Sequence, residues 1–415
     1  MRKGIALAGV FMSIVLVSGS LSACSSTSSS DSTPATATTP TPDAAAYSIS
    51  GTVSLWGAGL PGVTMTLKTY TTSTTMTEAG GHYSFTGLTN GDYSITPSKT
   101  GFVFNPQDSK QTLNNGRVTG VTGVDFTATN KWDTPGIPWG VAVDSAGDVY
   151  VSELFSARIE KFTSTGTFIT RWGSAGNGNS QFNWPKHIDV DGSDNLYVAD
   201  NRNFRIQKFS SSGTYITQWG SYGTGKGQFN GPAGIAVDIA NGWVYVADSG
   251  NSRIEKFDLA GKYITQWGRN GTGNGQFIFG DATGATQYGP EGDVEVDSTG
   301  AVYVVDNGNH RIQKFDSSGA YVAQWGSTGS SNGQFLFPVG IAIDSAGTVY
   351  VVDNSTGGEA GNVARIEEFD SAGKFIRQVA LVDTTGLPAN GIGVAIDRAG
   401  VLYVTQGGSI YKYAP

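Results

Sequence analysis

The sequence predicts an all-β protein, a six-bladed β-propeller preceded by a small β-sandwich, and three observations lead there. Glycine is abundant at 59 of 415 residues, only 14% of residues are charged, and Thr, Val, Ile and aromatics fill short runs. That usage favours strands and turns over helices. From residue 130 onward one unit recurs: the aspartate closing strands such as "VAVD" falls at Asp144, Asp191, Asp238, Asp297, Asp344 and Asp397, with spacings of 47, 47, 59, 47 and 53 residues. A fixed period of this size marks a supersecondary unit that buries its core by packing on its neighbours. Ahead of the repeats, residues 47–129 carry shorter alternating runs broken by Gly, Pro and Asn-Gly turns, the pattern of a sandwich.

The chain opens with Arg2 and Lys3, a mostly apolar or small run from Gly4 to Ser20, and "LSAC" at Leu21–Cys24, the parts of an export signal. "LSAC" resembles a bacterial lipobox. The resemblance implies a signal peptide over 1–23, cleavage before Cys24, and lipidation of Cys24, so that the protein is extracytoplasmic and anchored to the bacterial membrane. Ser25 rather than Asp after the cysteine implies the outer membrane or cell surface, if the cell has two membranes. An ordinary secretory signal is the alternative. Cys24 is the sole cysteine, so neither an intramolecular disulfide nor a cysteine-based zinc site forms. Residues 24–46 are rich in Ser, Thr and Pro and too poor in apolar groups to offset the entropy of ordering, which predicts an extended tether. The net charge of −8 and pI near 4.9 give no field that gathers phosphate backbones, and this excludes nonspecific nucleic-acid binding.

Residues 47–129 contain "ISGTVS", "LPGVTMTL", "GGHYSFTGLTNGDYSITPSKTGFVFNP" and "VDFTAT". The block resembles the carboxypeptidase regulatory-like domains of bacterial surface proteins. That resemblance implies a spacer or adhesion module without catalytic residues of its own.

In residues 130–415 each unit runs through a "VYV"-like strand (Tyr150, Tyr197, Tyr245, Tyr303, Tyr350, Tyr403), a "RIxKF"-like strand and, in most units, a strand ending in Trp-Gly. Four short strands per unit make a propeller blade. The pattern "PxGIAVDxxGxVYVxDxxNxRIxKFxxxGxYIxxWG" resembles the NHL repeat over about 280 residues, and units two to four match it best. The sixth unit has three strands and ends without a Trp-Gly strand. Trp132, just ahead of the first unit, matches Trp172, Trp219, Trp267 and Trp325 of units one to four, whereas unit five has Val379 there. The segment around Trp132 is therefore predicted to complete blade six and close the ring.

The repeats act as controls on apparent motifs. "GSYGTGK" (Gly220–Lys226) lacks the Ser or Thr of a phosphate loop and has a sister in "GRNGTGN"; "GSSNG" around Ser331 lies in the same repeated loop. "DVDGSDN" (Asp189–Asn195) has Asp194 where a calcium loop needs Gly. The pairs Asp200–Arg205, Asp248–Arg253 and Asp306–Arg311 recur, which marks them as architecture tying strands or blades together, and the tryptophans read as packing between blades. His82, His187 and His310 lack metal-ligand spacing.

What breaks the repeat is more informative. Before "VD" or "ID" on the first strand stand Ala142, Ala236, Ala342 and Ala395 in blades one, three, five and six, but Asp189 and Glu295 in blades two and four. With His187 they are expected to line the channel, either as a site with shifted pKa values or as charge tolerated in a wet pore. The loops from Phe277 to Pro290 and from Asp353 to Arg365 are longer than their counterparts and are expected on one side, together with the channel mouth and with Trp139, Lys186 and Glu291. The NHL resemblance implies interaction first, and the reading is a lipid-anchored platform for a protein, peptide or glycan, expected to be monomeric and without a cofactor. The rival is a propeller enzyme, a lyase or lactonase-like hydrolase with a divalent metal at the channel, where Asp189 and Glu295 offer a candidate calcium site. A purely structural envelope component is the third reading.

Overall fold

Short strands that turn at glycines build every layer of the molecule. The computed structural model describes residues 47–55, 58–100, 102–114, 120–280, 292–354, 364–381 and 391–413. The leader, the tether and Cys24 lie outside the described residues, as do Glu291 and the middle of both long loops.

In the sandwich, one sheet has the spatial order Thr72–Met76, Thr64–Lys68, Gly91–Ser98, Ser109–Leu113. In the other, Tyr47–Leu55 pairs antiparallel with His82–Leu88 and, over Val53–Leu55, parallel with Phe126–Ala128. Alternate side chains point inward, so that Ile49, Val53, Met65, Ile95 and Phe126 form the core between the sheets.

Blades one to five are four-stranded antiparallel sheets in sequence order. Blade two, for example, consists of Pro185–Val190, Leu196–Asp200, Arg205–Phe209 and Tyr215–Trp219. The first strands of successive blades touch all the way round, the sixth (Gly391–Ile396) meeting the first (Pro138–Val143). Blade six takes its fourth strand from Phe126–Asp133: Trp132 pairs with Ile410 and Lys131 with Tyr411. Trp132 thus closes the ring as the repeats predict.

Its packing is that of the other tryptophans. Trp172, Trp219, Trp267 and Trp325 lie on turn glycines of the next blade, Gly213, Gly261, Gly319 and Gly373, and Trp132 lies on Gly166 of blade one. A Cβ on any of these glycines would come within 2.5 to 2.7 Å of the indole.

The first half of Phe126–Asp133 belongs to the sandwich. Its residues 126–128 pair with Tyr47–Leu55 and its residues 127–130 with Phe102–Asn105, so one continuous sheet runs from the sandwich into blade six. The expected domain boundary at 129/130 falls inside this strand.

The Asp–Arg pairs are buried. Arg205 Nε lies 2.8 Å from Asp200, Arg253 2.9 Å from Asp248, and Arg311 2.7 Å from Asp306. The Arg205 guanidinium also donates to the carbonyls of Asn177, Gly178 and Gln181, which fastens the loop from blade one onto blade two. Each pair therefore ties strands two and three and also joins neighbouring blades. A second repeated unit sits at the other end of the blade: Tyr197 donates to Asp191 at 3.0 Å, and Lys208 binds the same carboxylate at 3.0 Å while lying 4.6 Å over the Tyr197 ring.

Candidate functional site in the central channel

The channel is lined by alternate residues of the six first strands. In blade two Ile188 and Val190 enter the core, which turns His187 and Asp189 to the axis. They hold the places of Gly234 and Ala236 in blade three. In blade four, counting back from Asp297, the same two places are taken by Asp293 and Glu295. Elsewhere the first of these places is glycine because the strands crowd there. A Cβ on Gly140 would lie 2.7 Å from the Lys186 carbonyl, and one on Gly393 2.5 Å from the Trp139 carbonyl.

Blades two and four reach past blade three to each other. His187 Nδ1 lies 3.2 Å from Asp293 Oδ1. Gly234 leaves the opening, since a Cβ there would be 2.8 Å from that same oxygen and 2.7 Å from the Asp293 Cα. Asp293 also accepts from the amides of Val294 at 2.9 Å and, in blade five, Ile341 at 3.1 Å. One step along, Asp189 accepts from Val190 and from Val237 of blade three, both at 2.7 Å, and Glu295 accepts from Val296 at 2.9 Å.

Burial dominates the electrostatics. It pushes Asp189 up to about 7 and Asp293 to about 8, against the lowering effect of their amide donors, and it raises Glu295 well above the usual carboxyl range, with the Asp189 charge adding to the rise. It also drives His187 down to about 3, helped by the Lys186 charge. Both shifts in the His187–Asp293 pair favour its uncharged form, a neutral imidazole beside a protonated carboxyl.

The cavity around these groups has a volume of about 210 Å³. Its wall includes Val141, Ile235, Ile341 and Val394, and it extends to the turns after the first strands at Ser145, Asp194, Ile239 and Arg398. Those turns lie at the opposite end of the first strands from the long loops, so the cavity reaches away from the loop-bearing side. Trp139 and Lys186 stand at the loop-bearing end, the side expected for them, but they do not form an exposed ligand surface. Both are buried there, 2% and 0% exposed, with the ammonium of Lys186 5.3 Å over the Trp139 ring. The close approach of neighbouring first strands covers them, and the cation–π contact helps offset the burial of the charge. Glu291 is outside the described residues.

A calcium ion does not fit the donor set. Among the described residues no three His, Cys, Asp or Glu side chains converge on a point, whereas the ion takes about six to eight oxygen ligands. The channel brings together His187, Asp189 and Glu295 as the sequence suggests, and adds Asp293. That residue was legible too: it stands where the aligned strands have glycine, a position the comparison of alanines passes over.

Family models match two parts of the chain. Residues 45–124 match the second β-sandwich domain of the BOS complex subunit NOMO1-like proteins, a different description from the regulatory-like resemblance for the same block. Residues 182–209, 229–257 and 292–315, in blades two to four, match the NHL repeat. A comparison with curated proteins returns no match. Among solved structures, a protein of unknown function from Bacteroides thetaiotaomicron aligns at 15% identity over 85% of this chain and 90% of its own, with a TM-score of 0.52. A gluconolactonase from Xanthomonas campestris aligns at 16% identity over 69% and 89%, with a TM-score of 0.49. Virginiamycin B lyase from Staphylococcus aureus, an inactive variant with quinupristin, aligns at 15% over 78% and 92%, with a TM-score of 0.46. The first likeness bears on the fold alone. The chain carries NHL repeats in a six-bladed β-propeller, set behind a β-sandwich of the NOMO1-like kind.

Proposed function

We propose that the protein is a cell-envelope lipoprotein, anchored through Cys24, whose propeller is a binding platform for a peptide or protein ligand that places a basic group in the channel. The observation that carries the reading is the facing set His187, Asp189, Asp293 and Glu295 in a cavity large enough for one side chain. Burial raises these carboxyls so that they are partly or mostly protonated near neutral pH, and an entering ammonium or guanidinium would favour their ionised forms, so binding should release protons. The metal-enzyme reading has no comparable support, given the donor set.

Calorimetry with acetyl-Gly-Lys-Gly-amide and its norleucine counterpart tests the reading. The lysine peptide should bind, with a heat near pH 7 that depends on the buffer's ionisation enthalpy, and Asp189→Asn with Glu295→Gln should weaken it about tenfold or more. Equal binding of the norleucine peptide would count against the reading. The anchor is tested separately by labelling cells with an alkyne fatty acid: the protein should be tagged, and Cys24→Ser should not.

A further inference from the structure

Blades one and two meet at the loop-bearing end in a patch that blade three, with Gly231 and Gly250 at the corresponding positions, lacks. Trp184, just before the first strand of blade two, has φ of 60°, in the left-handed region, where the matching residue of blade three is Gly231 at 75°. A bulky side chain there is a true outlier, and such outliers gather at functional sites. Arg202 stands where blades three and four have Gly250 and Gly308. It keeps their backbone bond, its N–H donating to the Asn183 carbonyl at 3.0 Å as theirs donate to Asn230 and Ile278. Its guanidinium carbon lies 3.2 Å from the Trp184 ring centre. Phe155, at the same position of blade one, meets Trp184 in a T-shaped contact with centroids 5.8 Å apart and is 52% exposed. Ile137, which precedes Pro138 as Trp184 precedes Pro185, is 43% exposed.

Arg202 is also exposed, and the ion pairs of blade two among the described residues, His187–Asp293, Arg205–Asp200 and Lys208–Asp191, leave it out. We propose that the patch docks a protein segment bearing a carboxylate beside a large apolar side chain, the carboxylate on Arg202 and the apolar group on Phe155 and Ile137. Charge selects the occupant: a guanidinium stacked on an indole presents its outer N–H fork to a planar anion, and it does so on a chain whose net charge is −8. Tryptophan, arginine and their aromatic neighbours are also the residue types that dominate interface energies. This site is separate from the cavity around His187 and Asp189, which extends toward the other end of the first strands and includes none of these residues in its wall.

The test pans a phage-displayed library of random dodecapeptides on the whole chain and then synthesises the enriched peptides. Peptides that join Asp or Glu to Phe, Leu or Trp within three residues should emerge. Their affinity should fall about tenfold with Arg202→Ala, remain low with Arg202→Lys, and weaken with salt. Trp184→Gly installs the residue of blade three, so it should leave the thermal midpoint unchanged or higher while abolishing binding. The proposal is overturned if no peptides are enriched, if those recovered bind Arg202→Ala equally well, or if the Arg202-dependent ligand is instead an anionic phosphatidylglycerol vesicle.

Discussion

At Gly234 a single methyl group is enough to probe the channel. Gly234→Ala would press a Cβ against the Asp293 backbone and the Gly292 carbonyl, at 2.7 and 2.8 Å, neither of which can swing aside. The variant should lose about 1–3 kcal/mol in urea titration, an overpacking cost, and the His187–Asp293 contact with it. Stability should also follow the channel acids through pH. Asp189 and Asp293 move from an ordinary 3.8 to about 7 and 8 on folding, so the folded state binds more protons across that interval and rising pH removes stability there. His187, depressed from 6.5 to about 3, works the other way and adds stability as the pH rises between those values. Above about pH 6.5 only the acids still act, since the imidazole is neutral in both states. The thermal midpoint should therefore decline from about pH 6.5 to 8, and Asp189→Asn with Glu295→Gln should flatten the decline. Parallel curves would remove these acids as its cause. His187, Asp189 and Glu295 were legible because the repeats supply their own alignment. The burial of Lys186 and Trp139 was not, because it depends on how closely neighbouring first strands approach.

Each Asp–Arg pair is a clamp between elements, and its worth lies in what remains when one half goes. Arg253→Met would leave Asp248 buried without its cation, although Asn251 and the Asn230 amide still donate to it. Loss of one partner of such a pair typically costs about 3–5 kcal/mol, and the double change with Asp248→Asn should recover part of it. Equal losses in the single and double variants, measured by urea unfolding, would show that the ion pair is not what matters. The recurrence of these pairs at fixed spacing identified them as architecture from sequence. Their hold on the interblade loops could not be read there, because it is made by backbone carbonyls that carry no residue signature.

The ring as a whole depends on Trp132 and the strand around it. The segment 126–415 retains that strand, whereas 134–415 leaves blade six with three strands and an open edge beside Ser409–Tyr413. The shorter segment should melt markedly lower and associate in size-exclusion chromatography, because an unpaired edge recruits another chain. Matching melts and a monomeric profile for both would mean that the seam is dispensable. The count of six blades and the closing tryptophan followed from the repeat period and the short sixth unit. The sharing of that closing strand with the sandwich did not, since nothing in the run "FTATNKWD" separates the residues serving one sheet from those serving the other.

That shared strand also fixes how the molecule bears a load. A pull arriving through Tyr47–Leu55 acts along its parallel pairing with Phe126–Ala128, which resists in shear, and passes directly into the residues that hold the final blade. Traction on the amino-terminal side is thereby delivered to the seam of the ring, so the sandwich and the propeller should yield to force together, in one event.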